Sequence, residues 1–559
     1  MNSIKNLLPA GAVLLFFFVL TAQPVQAAGG QDRLQQNLNQ VLENSPVTTL
    51  GLTELQGIPS EIDQILLSLY LKNNSHPYWV TKNGPTQKAA ALLSVLNIAA
   101  EDGLNPDDYR LIDIHNLWGS RKPEDLVRLD VMLTMAMGAY VTDMREGRAV
   151  TCLLDPKLFA AARDQKVDII EVIQQGLSAP DLVQFLQQQA PQHQGYQSLK
   201  KALAHYRKLR TQNGWPVIPA GQVLKPGMQD SRLDLLIRRL TITGDLKQPH
   251  SPAGTYDGQL VEAVKFFQKR YNLEQDGIIG KHTMAALNIP VQDHIRRIII
   301  NMERWRWLPH TLDGQRVLVN IAGFHLAGIR DEKPEISMPV IVGKQHHETP
   351  VFSHTMRYIE FNPYWNIPNS IAINEMVPKM IKNPGYLKKE RIRIFDGWQE
   401  NAPEVNPETI DWQTIGKGIK KYRLRQDSGP DNALGTVKFM FPNSYNVYMH
   451  DTPSHSLFKR NNRSFSHGCI RVSRPRDLAL HILDRDDHGW SKERIDSLIN
   501  KGKRTVIPLK KPFPVHILYR TVLVDPTDNT VYIYDDVYGR DTLLAQALFT
   551  GNQPVQCRY

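Results

Sequence analysis

The chain is 559 residues long, carries a formal net charge of +10 and has an ordinary apolar fraction of 42%. Single cores stop growing at ~250 to 300 residues, so a chain of this length is expected to fold as about three domains. The composition excludes a wholly disordered chain and a multi-span membrane protein. The basic charge suits an anionic polymer or a membrane surface, and because the sequence has no zinc finger, RNP-like motif or dense basic run, nucleic acid is not expected as a partner.

Residues 1–27 have the pattern of a secretory signal peptide. Lys5 provides a short positive region, the segment 7–20 is almost wholly apolar, and Val25-Gln26-Ala27 fits the small-residue cleavage pattern. The apolar run is shorter than the ~20 residues that a membrane-spanning helix needs. We therefore expect cleavage after Ala27 and a periplasmic protein, with an uncleaved inner-membrane anchor as the alternative.

The cysteines are Cys152, Cys469 and Cys557, an odd number for a chain bound for an oxidising compartment. At least one cysteine therefore has no partner within the chain, which favours a reactive thiol. If Cys469 is kept reduced, Cys152 and Cys557 are left as a pair that could form a disulfide.

The region after the leader, residues 28–230, is expected to be a helical scaffold. The Ala- and Leu-rich stretch 89–100 and the stretch 126–144 have apolar residues at helical spacing, and Gly147 follows the second of them as a helix stop. The region offers no catalytic constellation. The Pro- and Gly-rich stretch 213–230 is interpreted as a linker.

Residues 231–290 predict a small module built on amphipathic helices. Apolar residues repeat at i, i+3, i+4 and i+7 in 233–240 and again in 260–267. Four blocks resemble, in order and spacing, the type-1 family of peptidoglycan-binding domains: Tyr256 to Gly258, Ala263 to Gln268, Asp276 to Gly280 and Thr283 to Asn288. The resemblance implies that the module binds the wall polymer, and a generic three-helix module is the alternative.

Residues 291–559 are expected to form a mostly β domain, because periodicity changes from helical to alternating after about residue 309. Alternation is clear at 317–321 and 338–342, and a further pair of strands is expected within 522–534. A helical interruption at 374–387 leads into polar sequence, giving an insertion at about 374–423. Insertions of this length are often lids or binding loops, although inert surface fits equally well.

The sequence Ser466-His467-Gly468-Cys469 carries the chemistry. A nucleophilic thiol needs a base to hold it as thiolate, and imidazole is the usual partner at neutral pH. His467 lies two residues before Cys469, and His450 lies nineteen residues before it, at the end of an apolar stretch that predicts a strand. Gly468 allows close approach of the backbone to a substrate, so N–H groups around Gly468 and Cys469 are candidates for an oxyanion hole.

Two further expectations concern the surroundings of this motif. Ser473 is expected to cap a helix that has Pro475 in its first turn. A Cys/His cluster also suits zinc, but structural zinc needs four ligands and the chain has no Cys-x-x-Cys spacing, so no metal site is expected.

His450, the fifteen residues after it and Ser466-His467-Gly468-Cys469 resemble the motif of the YkuD family of L,D-transpeptidases. The segments 362–368 and 434–439 also resemble this family, especially its large members with a helical scaffold and a peptidoglycan-binding module. The implied fold is multidomain α + β, with a helical scaffold, a three-helix module and a mostly β catalytic domain that carries a helical lid-like insertion. One departure is Arg471, because many relatives carry Asn at that position.

The resemblance also implies roles for individual residues. Cys469 is the expected nucleophile, and His450 rather than His467 is the expected general base and acid, while His467 braces the turn. The residues expected to bind the oxyanion or the substrate are Tyr448, Ser466, Gly468 and Arg471.

The implied reaction is attack by Cys469 on the bond between the third residue of a peptidoglycan stem, typically meso-diaminopimelate, and D-Ala. Transfer to an amine of a neighbouring stem then gives a 3→3 cross-link. No metal or organic cofactor is required, and carbapenems are implied to acylate the same thiol. The alternatives are an L,D-carboxypeptidase or endopeptidase and a non-catalytic wall-binding protein. Peptide stems are the expected partners, with wall-synthesis proteins and a transient inner-membrane association left open.

Overall fold

The computed structural model describes residues 30–44, 62–149, 168–248, 254–309, 312, 314–485 and 489–549. The expected signal peptide and the expected pair of Cys152 and Cys557 lie outside these residues. Contacts group the chain into two compact units, Met1–Ala90 with Ile112–Met135 and Ala91–Leu111 with Ala136–Tyr559. None of the helices in the described ranges has both the length and the apolar character needed to cross a membrane.

The N-terminal part of the chain is helical, as its spacing predicts. Its helices are α1 (Gly30–Glu43), α2 (Ile62–Lys72), α3 (Gln87–Asn97), α4 (Leu111–Leu117), α5 (Pro123–Glu146), α6 (Ile169–Ser178), α7 (Leu182–Gln187) and α8 (Gln194–Thr211). Strands β1 (Val80–Thr81) and β2 (Gly84–Pro85) pair between α2 and α3. The helix predicted over 126–144 is confirmed as α5, which ends just before Gly147.

A buried carboxylate organises the first unit. Asp130 accepts hydrogen bonds from the Tyr70 hydroxyl at 2.7 Å and from the backbone N–H groups of Trp79 at 2.7 Å and Val80 at 3.1 Å. Burial nevertheless raises the pKa of Asp130 to about 6. The donors offset much of the desolvation cost, which for an unpaired ion would be several kcal/mol. Helix α5 is thereby tied to the β1 and β2 hairpin.

The module predicted at 231–290 contains α9 (Leu233–Ile242), α10 (Gly258–Arg270) and α11 (Lys281–Leu287). Phe267 is fully buried at its centre. The buried Gln268 side chain donates to Asp276 at 2.9 Å and accepts from the Gly277 N–H at 2.9 Å, which fixes the turn between α10 and α11. Arg270 pairs with Asp245 and donates to the Val531 carbonyl at 2.8 Å, so the module is bonded to the C-terminal part of the chain.

The next helix, α12 (Val291–Arg306), is buried along much of its length. Its polar residues are paired: Arg306 donates to Glu303 at 2.9 Å, and Arg304 donates to Asp541 at 2.6 Å. Asn301 donates to the Thr521 hydroxyl at 2.9 Å. Such charge-assisted bonds make a buried polar helix tolerable.

The C-terminal region is mostly β. Its strands are β3 (Gln315–Asn320), β4 (His325–Arg330), β5 (Lys333–Gly343), β6 (Phe352–Phe361), β7 (Trp365–Asn366), β8 (Ile392–Phe395), β9 (Glu404–Val405), β10 (Arg423–Gln426), β11 (Val437–Met440), β12 (Met449–His450), β13 (Ser464–Ser466), β14 (Ile470–Val472), β15 (Thr505–Leu518), β16 (Val522–Val524) and β17 (Val531–Ile533). The alternation predicted at 317–321 and 338–342 is confirmed by β3 and β5, and the strands predicted within 522–534 pair as β16 and β17.

One sheet runs in the order β13-β5-β14-β12-β11-β6-β15-β3-β4, and β4 also pairs with β5. The sheet therefore closes on itself, which removes most of its free edges. Its inward face is apolar, with Val319, Val340, Met449 and Ile470 fully buried. The helices α16 (Pro475–Leu483) and α17 (Lys492–Asn500) add to this core, and α18 (Arg540–Phe549) follows near the C-terminus.

The insertion between β6 and β11 has a hydrophobic core of its own, which includes Ile367, Met376, Met380, Ile394 and Leu424. It contains α13 (Asn369–Ile371), a π-helix (Ala372–Met376), α14 (Val377–Lys382) and α15 (Tyr386–Lys389). It also contains a four-stranded sheet in the order β7-β10-β8-β9, which the polar sequence did not predict. The insertion is therefore a packed subdomain that joins helices to strands.

The multidomain α + β fold class is confirmed, with helices first and a mostly β C-terminal region that carries a partly helical insertion. The predicted cap at Ser473 is wrong. Helix α16 has Pro475 in its first turn, but Arg474 occupies the cap position, and the Ser473 hydroxyl is buried without a hydrogen-bond partner.

Candidate active site

The candidate site lies on the outward face of the closed sheet, where β12 and β14 run side by side. The two strands are parallel, with Met449 beside Ile470 and His450 beside Arg471. Met449 and Ile470 point into the apolar core, so Cys469 and His450 project from the opposite face because strand residues alternate. The pairing of two segments nineteen residues apart thus brings the predicted nucleophile and base to one surface.

Cys469 remains partly accessible in a dense polar environment. Its Sγ lies 3.9 Å from the carbonyl oxygen of Asn446. Burial raises the pKa of the Cys469 thiol above its ordinary value, while hydrogen bonds from the Tyr448 N–H and hydroxyl and the charges of Lys438 and Arg471 oppose the rise. The resting thiol is therefore protonated at neutral pH unless a base removes its proton.

The turn before Cys469 is held by hydrogen bonds of its own. The Ser466 hydroxyl donates to the Cys469 carbonyl at 2.5 Å and accepts from the Gly468 N–H at 3.2 Å. Thr349 donates to the Gly468 carbonyl at 2.8 Å. Gly468 has a φ of +107°, a conformation that favours glycine. Ser466 thus takes the Gly468 N–H that we expected in an oxyanion hole, which leaves the Cys469 N–H as the better candidate donor.

A hydrogen bond to the backbone of the next residue fixes the tautomer of His450. Its Nδ1 lies 2.5 Å from the carbonyl oxygen of Asp451. Because a carbonyl can only accept, Nδ1 carries the proton and Nε2 of the neutral ring keeps its lone pair. Burial, together with the positive charges of Arg471 and Lys438, lowers the pKa of His450 to about 3. The ring is therefore neutral at physiological pH and able to accept a proton.

The segment that holds His450 is itself fixed. Asp451 accepts from the Thr436 N–H at 2.9 Å and hydroxyl at 2.8 Å through one oxygen, and from the Thr452 N–H at 2.7 Å through the other. Gly435 has a φ of +60°, and a Cβ on it would lie 2.4 Å from the Asp451 Cγ. The glycine at 435, which carried part of the family resemblance, leaves room for this carboxylate.

His467 faces a different group from His450. Its Nε2 lies 2.8 Å from Oε1 of Glu375, in the π-helix of the insertion, and its ring lies 4.8 Å from that of His347. Burial lowers the pKa of His467, the Glu375 carboxylate opposes this, and the charges of Lys344 and His347 add to it. The insertion is therefore in direct contact with the turn that precedes Cys469.

Three residues of this site were missed by sequence analysis, namely Lys438, Glu375 and His347. Lys438 pairs with His450 across β11 and β12. Glu375 and His347 come from segments more than ninety residues away along the chain from His467. No local spacing relates these residues to the motif, although the family resemblance at 434–439 did mark the strand that carries Lys438.

A cleft of about 510 Å³ lies beyond the ends of β12 and β14. Its walls include Thr436, Asp451, Thr452, Ser473 and Arg474, whereas Cys469 is not part of them. Since Asp451 and Thr452 directly follow His450, the cleft lies next to the candidate base. In the part of the chain that the structure describes, no group of three or more His, Cys, Asp or Glu side chains is arranged to hold a metal ion.

The region that contains this site matches a known protein family. Residues 314–507 match the family described as L,D-transpeptidase catalytic domain. The candidate site therefore lies in a region that is similar to L,D-transpeptidase catalytic domains. The L,D-transpeptidase domain is preceded by two further matches, residues 64–203 with a family described as "Scaffold domain" and residues 230–287 with one described as "Putative peptidoglycan binding domain".

A curated protein of Haemophilus influenzae, described as "Putative L,D-transpeptidase", is 34% identical over 246 residues, or 44% of this chain and 48% of that protein. The match therefore spans about half the length of this relative. A crystal structure of an L,D-transpeptidase from Xylanimonas cellulosilytica shares 15% identity, covers 54% of this chain and 98% of that one, and has a TM-score of 0.16.

Proposed function

We propose that this protein is a periplasmic peptidoglycan L,D-transpeptidase that forms 3→3 cross-links through a thioester on Cys469. One observation carries the proposal. A partly accessible thiol lies directly before β14, and a neutral imidazole, whose Nδ1 is bonded to a carbonyl, lies on the adjacent strand β12 of the L,D-transpeptidase domain. Nucleophile, base and an orienting group are the minimum for covalent acyl transfer.

In the first half-reaction, His450 Nε2 takes the thiol proton as the Cys469 sulfur attacks the carbonyl between the third stem residue and D-Ala. The tetrahedral intermediate carries its negative charge on the former carbonyl oxygen, where the Cys469 N–H is a candidate donor. The C–N bond then breaks, and the D-Ala amine leaves with the proton that His450 returns. A thioester between Cys469 and the stem remains.

In the second half-reaction, the side-chain amine of a neighbouring stem attacks the thioester carbonyl. His450 takes a proton from this amine, the C–S bond breaks, and the thiolate is protonated again. An amide between two third-position residues results, and the enzyme is restored. Water in place of the amine would give an L,D-carboxypeptidase or endopeptidase, so the exclusion of water decides between these products.

The remaining parts of the chain fit this role. We propose that the module at 231–290 holds the wall polymer while the catalytic domain acts on its peptide stems, since the module contains its own buried core around Phe267 and is bonded to Val531 through Arg270. Peptide stems are the proposed partners. Residues 1–27, acting as a signal peptide, would direct the protein to the periplasm and then be cleaved.

The direct test is incubation of the purified protein with disaccharide tetrapeptides, with the products weighed by mass spectrometry. The proposal expects cross-linked dimers and released D-Ala, both abolished by Cys469→Ala. Shortened monomers without dimers would instead indicate hydrolysis, and unchanged substrate would indicate a non-catalytic wall-binding protein.

A further inference from the structure

A row of polar side chains crosses the sheet on the face that carries Cys469. Strand pairing sets Glu360 opposite Lys438, Lys438 opposite His450, and His450 beside Arg471. Residues paired in this way project to the same face, so their side chains are neighbours. His450 therefore has one cationic residue on each side of it.

The carboxylate in this row is already engaged. Arg504 donates through Nε to Oε1 of Glu360, and the two form a salt bridge. Among the described residues no carboxylate forms a salt bridge with Lys438 or Arg471, and the Nε atom of Arg471 is buried without a partner. The row thus carries an excess of positive charge next to the thiol.

Lys438 reaches the nucleophile through Tyr448. Its Nζ lies 4.2 Å from the centroid of the Tyr448 ring, and both Tyr448 and Lys438 oppose the rise in the pKa of the Cys469 thiol. A cation held over an aromatic face in a partly buried site is screened less by water than a surface lysine is. Its charge therefore acts on the groups around the Tyr448 ring.

We propose that Lys438 is a positioning residue that stabilises the thiolate of Cys469 by its charge, with Arg471 acting in the same way from the other side of His450. The inference rests on Cys469 being the nucleophile of the proposed function. It adds a residue from β11 to a site whose sequence motif lies on β12, β13 and β14.

The same two cations act on the pKa values of both Cys469 and His450. They oppose the rise that burial causes in the pKa of Cys469, Lys438 more strongly than Arg471. They also add to the effect of burial in lowering the pKa of His450 to about 3. A lysine at this position therefore makes the thiol easier to ionise, and it keeps the imidazole of His450 neutral at physiological pH.

The charged and titratable groups around the thiol come from several elements, so each must be held constant in a test. They are Glu360 on β6, Lys438 on β11, Tyr448 and His450 around β12, His467 in the turn, Arg471 on β14 and Arg504 just before β15. A variant of Lys438 leaves all the others in place.

The test is alkylation of the full chain by iodoacetamide as a function of pH, followed on the peptide that contains Cys469. In this reaction the thiolate sulfur forms an S–C bond and iodide leaves with the electron pair of the broken C–I bond. For Lys438→Met the expected result is a rise in the apparent pKa of alkylation by about one unit, so that the rate at neutral pH falls about tenfold. Lys438→Arg should recover at least a third of the wild-type rate.

Two controls separate charge from structure. Lys501→Met removes the same charge from an exposed position and should leave the alkylation profile unchanged. Iodoacetate, which carries a carboxylate, is compared with neutral iodoacetamide. If Lys438 only recruits carboxylates, Lys438→Met slows iodoacetate alone, and that result overturns the proposal.

An alkylation profile in Lys438→Met that matches the wild type with iodoacetamide would also overturn the inference, as would an equal loss in Lys438→Met and Lys438→Arg. The assay reads the thiol without any wall substrate. Failure of cross-linking in the tetrapeptide assay, with a normal Lys438 effect on alkylation, would therefore count against the proposed function alone.

Discussion

Nε2 of His467 lies 2.8 Å from Oε1 of Glu375, and this contact bonds the insertion to the turn that presents Cys469. Glu375 belongs to a π-helix, a rare conformation that is frequent at functional sites. Because burial lowers the pKa of His467, its ring is neutral near pH 7 and gains a positive charge as the pH falls. The contact between the insertion and the turn that presents Cys469 therefore depends on the protonation of His467.

Glu375→Ala should loosen the insertion while leaving global stability nearly unchanged, because a partly exposed pair contributes only about 0 to 1 kcal/mol. Faster hydrogen exchange in residues 369–389 is the expected result, together with slower acylation by a carbapenem. Glu400→Ala, an exposed change in the same insertion, is the matched control. Equal exchange in both variants would show that the Glu375 contact does not hold the insertion.

The pH dependence of acylation tests the state of His450. A base whose pKa is lowered to about 3 loses its lone pair only when the pH falls towards that value. The rate of acylation by a carbapenem should therefore not fall as the pH is lowered through about 6.5, the ordinary pKa of histidine. His450→Gln should slow acylation by ~10². His467→Gln should lower turnover yet keep the shape of the profile, and an inflection near pH 6.5 that vanishes in His450→Gln would contradict the lowered pKa of His450.

Gly435→Ala tests the support of the base. The new Cβ would lie 2.4 Å from the Asp451 Cγ, so the carboxylate that accepts from Thr436 and Thr452 must move. Acylation should fall about tenfold or more as the His450 tautomer loses its fixed partner. Gly502→Ala is the control, because Gly502 also has a positive φ, +65°, but no atom lies within 4 Å of its added Cβ. We expect both variants to lose stability, and we expect only Gly435→Ala to lose acylation.

Asp130→Ala should destabilise the first unit. It leaves the N–H groups of Trp79 and Val80 without their acceptor, while the Tyr70 hydroxyl keeps only Thr134 as a partner, and each buried group left unpaired costs about 1 to 3 kcal/mol. Thermal unfolding followed by circular dichroism should show a clear fall in the melting temperature. An unchanged melting temperature would mean that the carboxylate contributes little net stability.

Periodicity and motif spacing predicted those parts of the fold that local sequence determines. Helix α5, helix α10 with its buried Phe267, and strands β3 and β5 follow from the spacing of apolar residues. The sheet of the insertion was not predicted, because its strands are short and rich in polar residues. The predicted cap at Ser473 is wrong because a side chain suited to capping does not determine at which residue the helix begins.

Some residues of the candidate site could likewise be predicted from local sequence, and others could not. Cys469, His450 and His467 could be found because they share one short motif. Lys438 and Glu375 could not, since their proximity depends on strand register and on the packing of an insertion about ninety residues upstream. These are tertiary relationships, and a single sequence carries no local signal for them.

The central claim is that Cys469 forms the acyl-enzyme, and intact mass measurement after treatment with a carbapenem tests it most directly. The protein should gain the mass of one carbapenem, Cys152→Ala should gain the same mass, and Cys469→Ala should gain none. An adduct that persists in Cys469→Ala would contradict the account.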